Sequence, residues 1–258
     1  MRGFRSESYG DGFADVYDEW YADVTDVGAT VELIRSLADA RDGADDPHAP
    51  DQPPTALELG VGTGRLAIPL ARTGVAVTGL DASEAMLDRL RRATDGDLVT
   101  TVLGDMVDGL PDGPFDVVFA AYNTFLNLIE LDRQAACVAA VARRLSPGGH
   151  LVIEAALAPD VDDGHEVGVR TLDADRVVLS VSDHRADQRT TFGQFVDITE
   201  EHGVRLRPWA LRWTSIGELD DMASGTGLEL VDRFGDVDRR PFDPATADRH
   251  VSLYRRIG

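Results

Sequence analysis

The sequence predicts an α/β fold: a Rossmann-like sheet of seven strands, mostly parallel with the last strand antiparallel, and an antiparallel β-sheet inserted after the fifth strand. Three observations carry this. Leu57-Glu58-Leu59 runs as a buried strand into Gly60-Val61-Gly62-Thr63-Gly64, and an apolar helix follows from Leu66. From about Thr55 to Ala156, apolar runs of strand length alternate with segments of helical period. Beyond Pro159 the period changes to two, with polar turns between the runs.

Taken in order, residues 8 to 24 are aromatic and acidic, and Phe13, Val16, Tyr17, Trp20, Tyr21 and Val24 recur at helical spacing, predicting a helix with one face inward. A second amphipathic helix is predicted from Val27 to Ala40, and Asp42 to Pro54 reads as an acidic surface loop. The second core strand, Val75 to Leu80, ends at Asp81; Ser83 then caps a helix with Glu84 in its first turn. Val99 to Leu103 is the third strand, ending in Gly104-Asp105-Met106, and Phe115 to Ala121 the fourth, ending in Tyr122-Asn123 and running on to Asn127. A helix from Leu131 to Leu145 stops at Ser146-Pro147-Gly148-Gly149, and His150 to Ala156 is the fifth strand. Four inserted strands follow (Val167–Leu172, Val177–Asp183, Thr190–Thr199 and Val204–Trp213), then a helix from Ser215 to Ser224. Leu228–Phe234 and His250–Arg256 form the hairpin that closes the core sheet. The expected organisation is a cover over 1–54, a cofactor-binding core over 55–158, an insertion over 159–213 and closing elements over 214–258.

Composition sets limits. A chain of 258 residues with 43% hydrophobic content can bury a full core. No apolar run approaches the roughly 18 residues of a membrane span. The first residues, Met1 to Glu7, lack the apolar centre of a signal peptide. Cys137 is the single cysteine, expected as a small core residue in a reducing cytoplasm. A net charge of −21 argues against a nucleic-acid partner. All 25 basic residues are arginine, which reads as compositional bias.

The chemistry lies at the strand ends. Glycines at 60, 62 and 64 let the backbone turn tightly and let a ligand press against it without meeting a Cβ. The helix that follows presents free N–H groups to the ligand. A dinucleotide loop needs a sixth-position glycine, and Arg65 stands there. Asp81 is placed to take two ribose hydroxyls, or to cap the next helix. Asp105 and Met106 suit the polar edge and the face of an adenine. Glu58 is a strand carboxylate that must receive hydrogen bonds to be buried.

These three strand ends, in this order, resemble the class I S-adenosylmethionine-dependent methyltransferases, over the whole core. The resemblance implies the seven-stranded methyltransferase sheet and S-adenosyl-L-methionine as cofactor. It places Glu58, Gly60, Gly62, Gly64, Asp81, Ala82, Met86, Asp105, Met106 and Ala121 around that cofactor. The strand-rich insertion and the N-terminal Tyr9-Gly10-Asp11-Gly12-Phe13-Ala14-Asp15-Val16-Tyr17-Asp18 are similar to the bacterial sugar-amine N,N-dimethyltransferases of macrolide biosynthesis. That likeness implies Tyr9 at the acceptor and Tyr17 at the cofactor. The subgroup's histidine in the fourth-strand loop is replaced here by Asn127, which cannot take a proton. Tyr9 and Asn127 are therefore the catalytic candidates, and Tyr9, Tyr122, Asn123 and Arg212 the acceptor candidates. Arg212 is placed either to reach the site from the insertion or to form a surface ion pair. The tyrosines equally suit a packed core face. His165, His184 and His202 are expected in surface turns of the insertion, and no metal-ligand cluster is visible.

The sequence thus predicts a methyltransferase acting on a small molecule, with a nitrogen nucleophile favoured because Asn127 cannot take a proton and no histidine falls within the motif loops. Other chemistry on the same cofactor, such as aminopropyl transfer, and a non-catalytic binding module are the alternatives. The insertion is expected to roof the acceptor pocket or to make a homodimer contact, and to add nothing to the cofactor site.

Overall fold

In the computed structural model, which describes residues 1–22, 24–40 and 52–258, the chain begins with two short helices, α1 (Ser8–Phe13) and α2 (Tyr17–Trp20). The single helix expected over residues 8–24 is broken. In a continuous helix the Gly12 carbonyl would accept from the Val16 N–H. Here it accepts from Arg207 Nη1 at 2.7 Å, and the Val16 N–H turns to the Phe13 carbonyl. Helix α3 (Val27–Asp39) is N-capped by Asp26, which accepts from the Ala29 N–H. The expected acidic loop from Asp42 lies outside the described residues as far as Asp51.

Alternating strands and helices follow: β1 (Thr55–Leu59), α4 (Ala67–Ala71), β2 (Ala76–Asp81), α5 (Glu84–Arg92), β3 (Val99–Leu103), β4 (Phe115–Ala120), α6 (Leu131–Ala142) and β5 (Leu145–Ala156). The insertion supplies β6 (Gly164–Leu172), β7 (Arg176–Arg185), β8 (Thr190–Thr199) and β9 (Gly203–Arg212). Helix α7 (Ile216–Ser224), β10 (Leu228–Phe234) and β11 (Arg249–Arg256) complete the chain. The predicted sheet is borne out, in the order β10-β11-β5-β4-β1-β2-β3, with β11 antiparallel to both neighbours. The order reverses between β1 and β4, and this switch point opens a crevice at the carboxyl edge. Strand β5 starts five residues earlier than expected, because the Ser146–Gly149 turn pairs through an irregular register opposite Phe115.

Both faces of the sheet are covered. Leu57, Leu59 and Val118 pack with Cys137, Val138 and Val141 of α6 and with Leu219 of α7. Ala56, Val77 and Phe119 pack with Leu33 and Ile34 of α3 and with Leu87 and Leu90 of α5. Each fully buried Leu or Phe contributes about 1.5–3 kcal/mol, so these layers fix where the strand ends point. Cys137 sits in this core as expected, its thiol pushed up to about 12 by burial. The insertion forms a separate antiparallel sheet, β6-β7-β8-β9. A third cluster, with Phe13, Tyr21 and Met86 at its centre, joins α1 and α2 to Phe195 and Trp209 of this sheet. Among the described residues no helix is long and apolar enough to cross a membrane.

Candidate active site

The ends of β1, β2 and β3 open on one cavity of about 280 Å³, which the N-terminal segment covers. The three loop glycines all adopt positive φ (+66°, +55° and +86°), which a side chain would strain. Their surroundings differ. A Cβ on Gly60 would run into Thr124, and one on Gly64 would press within 2.9 Å of Leu90 in α5. Gly62 meets nothing closer than the Tyr17 ring at 3.7 Å. Gly60 and Gly62 line the cavity, whereas Gly64 serves the packing of the loop on its helices.

Asp81 ends β2 with Oδ2 accepting from the Gly62 N–H and Oδ1 from the Ser83 N–H, each at 2.9 Å. It ties the first two strand ends together. The helix cap is Ser83, whose hydroxyl accepts from the Met86 N–H. Each Asp81 oxygen keeps a lone pair for a further donor in the cavity. Burial raises this carboxyl, and its backbone bonds oppose the rise. Asp105 after β3 accepts from Ser6 Oγ at 2.7 Å, from the Val107 N–H and from Arg133 Nη2. Ala82, Met86 and Met106 complete the apolar part of the wall.

The β4 turn is strained: Tyr122 and Asn123 stand at φ +49° and +51°. Glu154 Oε2 holds the Tyr122 N–H at 2.9 Å, and Asn123 Oδ1 accepts from the Ala156 N–H at 2.8 Å. These two residues shape the turn and do not line the cavity, and Ala121 is buried in the core. Asn127 does line it, with its amide donating to the Thr124 carbonyl at 3.2 Å.

Tyr9 and Tyr17 line the cavity from above. Tyr9 stacks on Phe13 at 4.5 Å, and Tyr21, hydrogen-bonded to Tyr9, packs on Tyr17 at 5.0 Å and on Tyr122 at 6.2 Å. Burial pushes Tyr9 well above the ordinary phenol range and Tyr17 up to about 12, so both stay protonated at neutral pH.

Beside Tyr17 lie two groups with unmet needs. Glu58 Oε2 is buried with no partner, and burial pushes its carboxyl up to about 8 against the pull of Arg65. Arg65 Nε and Nη1 are buried without acceptors. Buried orphans of this kind cost about 1–3 kcal/mol or more each. Neither residue lines the cavity; both lie beside Tyr17, which does, and a zwitterionic amino-acid end reaching past that ring would offer a carboxylate to Arg65 and an ammonium to Glu58. The cavity's own lining, with Gly60, Gly62, Asp81, Asp105 and Met106 at three strand ends, fits the nucleoside part of S-adenosylmethionine. Sequence reasoning used Arg65 only to exclude a dinucleotide; its place directly after the third glycine was the available signal. It also missed Ser6, Tyr21 and Arg133.

Arg212 does not reach the cavity, nor is it on the surface. Its side chain is 9% exposed, bonded to Glu218 Oε1 and Gln134 Oε1 at 3.1 Å each. It ties β9 to α6 and α7, because a buried guanidinium needs a paired acceptor. Two of the insertion histidines also differ from expectation. His165 and His184 lie in strands, and His184 is enclosed between Ser182 and Thr191 hydroxyls. Among the described residues no three His, Cys, Asp or Glu side chains group to hold a metal ion.

Residues 56–149 match the methyltransferase domain family. A cypemycin N-terminal methyltransferase from a Streptomyces species is 30% identical over 217 residues, 81% of this chain and 86% of that protein. A dTDP-4-amino-2,3,4,6-tetradeoxy-D-glucose N,N-dimethyltransferase from Saccharopolyspora spinosa is 28% identical over 72% of each chain. The solved structure of the CcbJ methyltransferase from Streptomyces caelestis superposes with a TM-score of 0.85 at 38% identity, covering 99% of this chain and all of that one. With the fold and the glycine loop already in place, these likenesses settle the family: the chain belongs to the S-adenosylmethionine-dependent methyltransferases.

Proposed function

We propose that the protein methylates a nitrogen of a small-molecule amine. The observation that carries this is the wall around Tyr9 and Asn127. Among the described residues it offers phenols held protonated by burial, the Asn127 amide and the Glu130 carboxylate, and no histidine lines the cavity. An amine needs only its neutral form to attack, whereas a hydroxyl needs a base within hydrogen-bond reach. The cypemycin and amino-sugar enzymes named above act on amines, which supports the same class of acceptor here.

When bound, S-adenosylmethionine supplies a methyl on a cationic sulfur, which leaves as a thioether once a nitrogen lone pair takes the carbon. The chain's part is placement. Arg65 and Tyr17 would hold the carboxylate end and Glu58 the ammonium. Asp81 would accept from the ribose hydroxyls, and Asp105 and Met106 would meet the adenine. Tyr9 and Asn127 orient the acceptor nitrogen, and Tyr122 and Asn123 set the turn behind them. Holding the reactants in line and excluding water supplies most of the rate. In this reading residues 1–22 form the cover and 55–158 with 214–258 the cofactor-binding body, while the insertion, 159–213, lines no part of the cavity and backs the cover instead.

Assembly and location follow from the same reading. The outer strand β6 exposes Val167, Val169 and Leu172, an unpaired edge suited to a second copy. The acidic surface has no role for nucleic acid or membrane, and a buried unpaired thiol suits the cytoplasm.

The test is a set of matched acceptors, amine against alcohol on one carbon skeleton, incubated with methyl-labelled cofactor. Label is expected on the amines alone. Label on alcohols at comparable rates would overturn the nitrogen assignment.

A further inference from the structure

The insertion was expected to leave the cofactor site alone, yet one of its arginines grips the helices that cover it. Arg207 of β9 is 3% exposed at its side chain. Its Nη1 donates to the Gly12 carbonyl at 2.7 Å and to Asp15 Oδ1 at 2.6 Å, and its Nη2 donates to Asp15 Oδ2 at 3.1 Å. The remaining donors go to Asp197 Oδ2, from Nε at 3.2 Å and from Nη2 at 3.0 Å. Arg176 grips Asp197 through two bonds of 2.9 Å and reaches Glu19 of α2 at 3.0 Å. An ion chain, Asp15–Arg207–Asp197–Arg176–Glu19, thus binds α1 and α2 to the insertion sheet.

The same helices meet the core cofactor loops more lightly. Asp11 accepts from Ser83 Oγ and Asp18 from Thr63 Oγ1, each at 2.6 Å, and the exposed Arg89 of α5 donates to the Asp15 carbonyl at 3.1 Å and lies 3.8 Å from Asp18. A bidentate, buried guanidinium bridge fixes geometry far better than a single hydroxyl bond. By taking the Gly12 carbonyl, Arg207 also breaks the helix between Tyr9 and Tyr17, which lets both rings face the cavity.

We propose that Arg207 is a positioning residue of the cofactor site: the insertion sheet holds Tyr17 and Tyr9 over the bound cofactor through it. This rests on the reading that Tyr17 touches the cofactor.

The variant R207M keeps the stem volume and strands no buried charge. Asp197 retains Arg176, and Asp15 retains Arg205 at 2.7 Å. Release of S-adenosylhomocysteine, followed by rapid-mixing competition, is expected to speed up about tenfold, as loss of one charge-assisted bridge implies. Hydrogen exchange over residues 8–20 should rise with it. D15N, altered on the open side of the bridge, should shift both readouts the same way. R207K, which restores the charge, should recover part of the retention. V178A, which loosens the insertion core away from α1, should lower the melting temperature and leave release unchanged. If Y17F speeds release while R207M and D15N leave it at the parent rate, Arg207 has no positioning role. If Y17F also leaves it unchanged, Tyr17 is not at the cofactor and both readings fall.

Discussion

Valine at position 62 is expected to abolish cofactor binding while leaving most of the fold. Gly62 stands at φ +55°, where a β-branched residue is strained by about 1–3 kcal/mol. Against a typical stability of about 5–15 kcal/mol this is tolerable. The binding cost is larger. The new methyls enter the gap between the loop and the Tyr17 ring, and the shifted backbone weakens the Gly62 N–H bond to Asp81. Gly60 is the wrong position for this test, since its Cβ would collide with Thr124 and disturb the β4 turn. Circular dichroism beside a calorimetric titration with S-adenosylhomocysteine checks the result. A folded variant with parent affinity would show that Gly62 does not face the cofactor.

Alanine at position 81 is expected to weaken cofactor binding by about 1.5–3 kcal/mol, the value of hydrogen bonds to a charged group. Two losses combine: the ribose hydroxyls lose their acceptor, and the Gly62 and Ser83 N–H groups lose the carboxylate that joins two strand ends. Asp81→Asn should be nearly as harmful. Its NH2 would face one of those two N–H donors, and a donor cannot satisfy a donor. Calorimetry on both variants decides it. Unchanged affinity in the asparagine variant would remove Asp81 from the cofactor site.

Local pattern made the core legible. Seven strands, the cap at Ser83 and the strand ends at Gly60, Asp81 and Asp105 each follow from a period or a turn within a short window, and all seven strands formed. The insertion strands were legible for the same reason, because alternation needs no knowledge of the partner. What escaped depends on partners far along the chain. The helix break at Gly12 is caused by an arginine 195 residues away. Arg212 looked free to reach the cavity because its buried acceptor, Gln134, lies 78 residues back. Arg65 was legible only as an exclusion, since its orphaned N–H groups appear only once Glu58 and Tyr17 are folded beside it. The N-terminal latch is similar: nothing local to Ser6 announces a bond to Asp105.

In the proposed reaction the acceptor amine attacks in its neutral form, and no group of the chain, Glu130 included, has to take its proton first. The direct test is the pH dependence of kcat/KM for two acceptor amines of different pKa, with cofactor saturating so that the empty-site titration of Glu58 near 8 is suppressed. The rate constant should rise with pH as each amine loses its proton, and level off at that amine's own pKa. Two inflections, each following its acceptor, are the predicted result. A single inflection at the same pH for both amines would identify a titrating enzyme base and contradict the account.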